Sequence, residues 1–331
     1  MRAEARIEEF NRLEQRADAI VASRPTENTS RTFNVVQLED LLSRDLPPRE
    51  NILAPWLPSQ GLAMVHAPRG VGKTHFALGV AYAVASGGAY LKWAAPKPRG
   101  VLYLDGEMPA AAMQERLAAI VAASEKEALA PLHLLTPDFN RDGMPDLTTP
   151  EDQASLQRLL DDVELVIVDN ISTLCRTGKE NEAEGWLPVQ AWALQQRSCG
   201  RSVLFIHHSG RNGNARGTSK REDVLDTIIS LSHPAEYKPS DGAVFEVKFE
   251  KNRGIHGDDV EPFEARLSTD ANGFQQWSIA SLEQCHLERI VRMVNDGMAQ
   301  KDIAAELGIA KSTVCYHVKR AKEEGRINGN K

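Results

Sequence analysis

Ala67-Pro68-Arg69-Gly70-Val71-Gly72-Lys73-Thr74, followed directly by His75, decides how this chain is read. Before it stands the apolar run Leu62-Ala63-Met64-Val65-His66, a short buried strand by composition. Behind it His75-Phe76-Ala77-Leu78-Gly79-Val80-Ala81-Tyr82-Ala83-Val84 reads as a helix. Strand, glycine-rich turn and helix, in that order, make a phosphate cradle. The glycines let the backbone curl so that its N–H groups point inward at phosphate oxygens, and the helix N-terminus adds partial positive charge. Lys73 then reaches the β- and γ-phosphates, and the Thr74 hydroxyl is placed to ligate Mg²⁺. Ala67 stands where this pattern usually has glycine. Residues 67–75 are therefore expected to hold a nucleoside triphosphate.

At 331 residues the chain can carry a full α/β core and a small appendage. Its 26% charged and 42% hydrophobic residues are those of an ordinary globular protein. A formal charge of −7 argues against a protein that coats nucleic acid over its whole surface, while leaving room for a local basic face. Four cysteines, Cys175, Cys199, Cys285 and Cys315, have no paired spacing, which suggests neither a zinc site nor a disulfide framework and fits a reducing cytoplasm. The first residues, Met1-Arg2-Ala3-Glu4-Ala5-Arg6, are charged and lack an apolar signal core, and no membrane segment is expected.

Residues 3–22 carry Ile7, Phe10, Leu13, Ala17 and Ile20 at spacings of three and four, an amphipathic helix. It packs on its own domain or, on the polar tether Ser23 to Asn34, docks on a neighbouring subunit. Val35 to Leu46 reads as helical, ended by Pro47-Pro48. From Leu62 strands and helices alternate, which implies a largely parallel sheet covered on both faces. The expected strands are 62–66, 101–105, 132–135, 165–169 and 202–207, with helices at 74–86, 109–124, 150–161 and 183–198. After Asp226, Thr227 to Leu231, Val244 to Phe249 and Phe263 to Leu267 read as antiparallel or edge strands. The boundaries expected are 1–34 for the helix and tether, 35–280 for the α/β core and 281–331 for a third module.

Several side chains fall where parallel strands end, the edge at which open sheets bind ligands. Leu165-Val166-Ile167-Val168-Asp169-Asn170 ends in an acid suited to the Mg²⁺ shell, or to capping a turn. Val101-Leu102-Tyr103-Leu104-Asp105-Gly106-Glu107 places Glu107 just past a strand end, where it would polarise an attacking water, with Asp105 structural. Ser202 to Ile206 delivers His207 and His208 to the same edge. Mg²⁺ prefers oxygen, so hydrogen bonding to the γ-phosphate is their better use, with burial as a core histidine the other use of His207.

Taken in order, the phosphate loop, the strand ending Asp-Gly-Glu, the strand ending in Asp, the strand ending His-His and the later Phe249-Glu250-Lys251-Asn252-Arg253 resemble the RecA-like ATPases, in particular the RepA-like plasmid replicative helicases and their AAA_25 relatives. The resemblance covers roughly residues 35–270. It implies an α/β core with a mainly parallel sheet, ATP and Mg²⁺ as ligands, Glu107 as catalytic glutamate and His208 as γ-phosphate sensor. It also implies that Lys251 and Arg253 are fingers reaching the nucleotide of the adjacent subunit, in a ring, commonly hexameric, threaded by single-stranded DNA. Charge stabilisation by an arginine presented from outside the phosphate loop accords with this, because the sequence offers no other suitable arginine near the sheet edge. The loop Ser209 to Arg221 is glycine-rich, and its Arg211, Arg216, Lys220 and Arg221 suit a phosphate backbone.

At the C-terminal end, Leu287 to Val294 reads as a helix stopped by Gly297, Gln300 to Leu307 as a second, and Lys311 to Arg320 as a third after the turn Gly308-Ile309. Apolar Ile303, Leu307, Ile309, Val314 and Val318 suit two helices crossing steeply, and the module looks like a helix-turn-helix DNA-binding domain. Recognition helices read bases from their N-terminal half, which nominates Lys311, Ser312, Thr313, Tyr316 and His317, with Lys319 and Arg320 on phosphates of duplex DNA. From Glu283 onward nine Lys and Arg stand against seven Asp and Glu, so the module is only mildly basic. The expected activity is that of an ATP-driven ring helicase of a plasmid or mobile element. An ATP-switched DNA-binding regulator and a recombination-type filament ATPase are the alternatives.

Overall fold

A computed structural model describes residues 34–176, 183–209 and 222–327. The helix expected over 3–22 and the basic loop residues Arg211, Arg216, Lys220 and Arg221 lie outside the described residues. The chain divides into two units, residues 1–48 and 49–331. Of the first, the described part holds one short helix, α1 (Leu38–Ser43), half the length expected from Val35 to Leu46.

The second unit is built on a sheet that, among the described residues, has nine strands. The small hairpin β1 (Asn51–Leu53) and β2 (Leu57–Pro58) leads into β3 (Leu62–Ala67), all six residues of which are buried. The phosphate-loop candidate follows, then α2 (Lys73–Ser86). A second small hairpin, β4 (Ala89–Tyr90) and β5 (Trp93–Ala94), precedes β6 (Val101–Asp105), α3 (Ala110–Ala123) and β7 (Leu132–Leu135). Then come α4 (Pro150–Gln157), β8 (Leu165–Asp169), α5 (Ile171–Leu174), α6 (Ala183–Ser198) and β9 (Ser202–His208). Pro150 opens α4 behind Thr149, whose hydroxyl accepts the Asp152 N–H, as the sequence suggests. The remaining strands are β10 (Thr227–Ser232), β11 (Val244–Asn252), β12 (Phe263–Thr269) and β13 (Gln275–Ser281).

Strand order is β13-β12-β11-β10-β3-β9-β8-β6-β7. From β10 to β7 every pair is parallel, and β10-β11-β12-β13 is antiparallel. One expectation is corrected here: Thr227 to Leu231 is neither an edge nor wholly antiparallel, because β10 pairs in parallel with β3 on its other side. Its continuous apolar run Ile228-Ile229 fits burial on both faces. Strand alternation then sorts β3: Ala63, Val65 and Ala67 join the core beneath α2, whereas Leu62 and Met64 join the core with Trp186 and Trp192 of α6. Strand β9, ending in His208, lies between β3 and β8, so the acid at the end of β8 stands one strand away from the loop strand.

Three helices close the chain, α7 (Leu282–Asn295), α8 (Gln300–Leu307) and α9 (Lys311–Glu323). They share a small core of Leu287, Ile290, Met293, Ile303, Leu307, Val314 and Val318. Gly308 ends α8 at φ 63°, a left-handed conformation that favours glycine. Helix α7 packs on β12 and β13. Arg289 of α7, its side chain 11% exposed, ion-pairs with Glu264 of β12 and lies 3.8 Å from Glu246 of β11.

Candidate nucleotide site

The loop between β3 and α2 turns at Gly70 (φ 85°) and Gly72 (φ 114°), conformations that a side chain would strain. Lys73 Nζ lies inside the loop, donating to the carbonyls of Ala67 at 3.0 Å and Pro68 at 2.8 Å. Burial pushes its ammonium down to about 8, opposed by the carboxylates of Asp169 and Glu107. Thr74 hydrogen-bonds Asp169 at the end of β8, and Asp169 also accepts the Tyr103 hydroxyl at 2.6 Å. Burial raises the Asp169 carboxyl while these two bonds hold it down.

Glu107 follows the end of β6 in a turn that Asp105 holds, its carboxylate accepting the N–H groups of Glu107 at 3.2 Å and Met108 at 3.1 Å. Burial raises the Asp105 carboxyl to about 6, and those two bonds oppose it. Gly106 is required between them, since a Cβ there would stand 2.1 Å from Thr173 Oγ1. His208 Nε2 approaches Glu107 Oε1 at 3.7 Å and Asn170 Nδ2 at 3.4 Å. Burial lowers the His208 imidazole, and Lys73 lowers it further.

Together Arg69, Gly70, Gly72, Lys73, Thr74, Glu107, Arg116, Asp169, Asn170 and His208 line a cavity of about 530 Å³. The structure thus brings Lys73, Thr74, Glu107, Asp169 and His208 to one place. His207 is not among them: it is fully buried on the opposite side of β9, because neighbouring strand residues face opposite ways, which fits its other reading as a core histidine and not a place beside the cavity. The hydroxyl of Thr74 and the carboxylate of Asp169 are hard oxygen donors, which fit Mg²⁺. Bound there, the ion would neutralise charge on the β- and γ-phosphate oxygens.

Arg116 is a residue that the sequence reading missed. It also removes the premise that no other arginine stands near the sheet edge, since it enters the pocket from α3. Lys251 and Arg253 do stand elsewhere. Asn252 pairs with Thr227, which pairs with Ala63, so these residues lie at the start of β3, about 13 Å along the strand from Ala67. There Lys251 donates to the Glu222 carbonyl and Arg253 to that of Asp223 at 3.0 Å. Beside them Asp226, 5% exposed, accepts from the Leu62 N–H, Arg49 and Arg197, which together outweigh burial and hold its carboxyl below the usual range.

The sequence reading also missed a group between β3, β9 and β11. His66, fully buried, shares hydrogen bonds with Ser209 Oγ at 2.8 Å and Glu250 Oε2 at 2.9 Å. Glu250 is the extra residue of a bulge between the pairs Ile228–Lys251 and Ile229–Phe249. Ser209 follows His208 and Glu250 precedes Lys251, so the neighbours of the cavity residue and of the distant basic pair are joined by hydrogen bonds through the buried His66.

On α9, Lys311, Ser312, Tyr316 and Lys319 are exposed and Thr313 is half-buried. His317 is corrected: at 3% exposure it belongs to the bundle interior and offers no surface to a base. Arg320 is engaged by Glu283 of α7 at 2.6 Å and by Glu324 at 2.8 Å.

The AAA_25 family model, an AAA domain, matches residues 26–214, and a homeodomain-like domain model matches residues 288–331. Among solved structures, a KaiC-like protein from the archaeon Pyrococcus horikoshii is similar over 67% of this chain and 90% of its own, at 13% identity and a TM-score of 0.45. The flagellar accessory protein FlaH from Methanocaldococcus jannaschii is similar over 67% and 91%, at 11% identity and a TM-score of 0.44. No helix among the described residues is long and apolar enough to cross a membrane.

Proposed function

Because the chain belongs to the AAA_25 family of AAA domains, with a homeodomain-like domain behind it, we propose that this P-loop ATPase is a ring-forming DNA motor, a replicative helicase or helicase-like ATPase of a plasmid or other mobile element that moves on single-stranded DNA. The observation that carries the reading is the convergence of Lys73, Thr74, Glu107, Asp169 and His208 on one cavity while Lys251 and Arg253 stand at the far end of β3. Cations placed there serve a neighbour's nucleotide rather than their own, and a closed ring, commonly of six copies, gives each cavity such a neighbour.

In this account the loop backbone and Lys73 bind the β- and γ-phosphates, and Thr74 and Asp169 hold Mg²⁺. Glu107, half-exposed at the mouth, orients the attacking water and takes its proton. His208 hydrogen-bonds the γ-phosphate, and its loss after hydrolysis reaches the residues that follow Ser209. Lys251 and Arg253 stabilise the charge that develops on the transferred phosphoryl group of the adjacent copy. Glu107→Gln is expected to bind ATP as wild type does and to lose hydrolysis by at least about a hundredfold; unchanged turnover in a steady-state ATPase assay removes Glu107 from this role.

The exposed start of α9 favours a second reading, an operator-binding regulator whose assembly ATP switches. Strand displacement with DNA-stimulated turnover supports the motor, and tight sequence-specific duplex binding without unwinding supports the regulator.

A further inference from the structure

Among the six buried residues of β3, His66 is the polar one, and both its ring nitrogens are engaged. The bond to His66 holds the Glu250 carboxyl below its usual range, so at neutral pH it is ionised and can only accept. Nε2 therefore carries the proton of that bond, and Nδ1 is left to the Ser209 hydroxyl. Ser209 is fixed a second time. Its backbone N–H donates to the Ala67 carbonyl at 2.9 Å, the same oxygen that accepts Lys73 Nζ at 3.0 Å.

The other partner stands at an irregularity in the sheet. Glu250 is the inserted residue between the pairs Ile229–Phe249 and Ile228–Lys251, and it reaches past β10 to a ring on β3. Ser230 of β10, which pairs with His66, adds a hydrogen bond to the same carboxylate. The insertion offsets every later residue of β11 by one against β10, so it decides where Lys251 and Arg253 stand. At 43% exposure the Glu250 carboxylate could equally be solvated, whereas without it the His66 ring would keep a buried, unpaired nitrogen. The demand for the bond comes from the buried partner.

We propose that His66 is a positioning residue that acts on the neighbouring copy: through Glu250 it pins the bulge, and with it the place at which Lys251 and Arg253 meet the next copy's nucleotide. The inference rests on the shared site proposed above. Through Ser209 the same ring is held from the strand end that carries His208, so the cations of one side are placed from the cavity side of the same copy. Position in the chain argues the other way. His66 adjoins Ala67 and, as packing alone, would support its own phosphate loop.

Complementation between full-length variants separates the two, read as steady-state ATP turnover of equal mixtures, with Lys73→Ala plus Arg253→Ala as the reference pair. His66→Leu alone should bind ATP within about twofold of wild type and keep its KM, while turning over about tenfold more slowly. Mixed with Lys73→Ala, which brings intact cations, it should regain turnover. Mixed with Arg253→Ala it should regain none, because neither copy then offers well-placed cations. Ser209→Ala, which deletes one hydroxyl, should fall in the same group with a smaller loss, and it carries the test where His66→Leu does not fold. Glu250→Gln still accepts from Nε2 and should keep most of the wild-type rate. Gain with Arg253→Ala and none with Lys73→Ala overturns the inference, because His66 would then serve its own loop. So does gain with both partners or with neither, and so does wild-type turnover in both His66→Leu and Ser209→Ala. If the reference pair itself regains nothing, the shared site falls and the inference with it.

Discussion

Lys73 sets the pH window of the phosphate site. Its ammonium is pushed down to about 8 by burial, so the free protein carries the charge below that pH and loses it above. A bound triphosphate, being anionic, draws the proton back, so affinity must fall as pH rises through about 8. Calorimetric titration with ATP between pH 6 and 10 should show that break, and Lys73→Arg should abolish it because a guanidinium does not titrate there. Affinity that stays flat across the range contradicts the placement of Lys73 among the phosphates. Residues of this kind were legible in the sequence because each sits at a fixed offset from a strand end: Lys73 and Thr74 after β3, Glu107 after β6, Asp169 at the end of β8. Arg116 was not, since an arginine next to Glu115 on an amphipathic helix reads as solvated until α3 is placed over the cavity. The choice between His207 and His208 was equally closed to sequence, because both complete the same apolar run and only the faces of β9 separate them.

Elements that announced themselves were the long ones. The buried runs of β3, β6, β8 and β9 and the intervening helices fall within a few residues of expectation, since continuous apolar strands between helices leave few other arrangements. Strand β13 was missed because its first residues, Gln275 and Gln276, are polar and it lies at the sheet margin. Equally hidden was the seat of the last three helices, which depends on one cation among acids of different strands. Arg289 is 11% exposed and its partners Glu264 and Glu246 are each 9% exposed, so removing the arginine leaves these two buried carboxylates with only the half-exposed Arg266 and Lys248, respectively, as cation partners. Arg289→Ala should destabilise the fold by about 1.5–3 kcal/mol, with Arg289→Lys costing less. Chemical denaturation monitored by circular dichroism measures this, and a loss below about 1 kcal/mol would mean that the pair is a solvated surface contact.

For the whole molecule, the disposition that matters is the separation of cradle and cations. The sheet that carries both holds them at opposite ends of β3, and hydrogen bonds through the buried His66 join their neighbours Ser209 and Glu250 within one copy. No single copy completes the site in this account, and assembly is part of the chemistry. Nothing in the sequence alone revealed this separation, because register across β10 and β11 fixes where Lys251 and Arg253 stand. The most direct test is a mixing experiment with two inactive variants. Arg253→Ala is expected to bind ATP and fail to hydrolyse it, and Lys73→Ala to fail at the phosphate step while keeping its own Arg253. Mixed, the two should regain a fraction of wild-type turnover that rises and falls with their ratio, because some cavities then pair an intact loop with an intact arginine from the next copy. Turnover that stays at the level of the separate variants at every ratio contradicts a site shared between subunits.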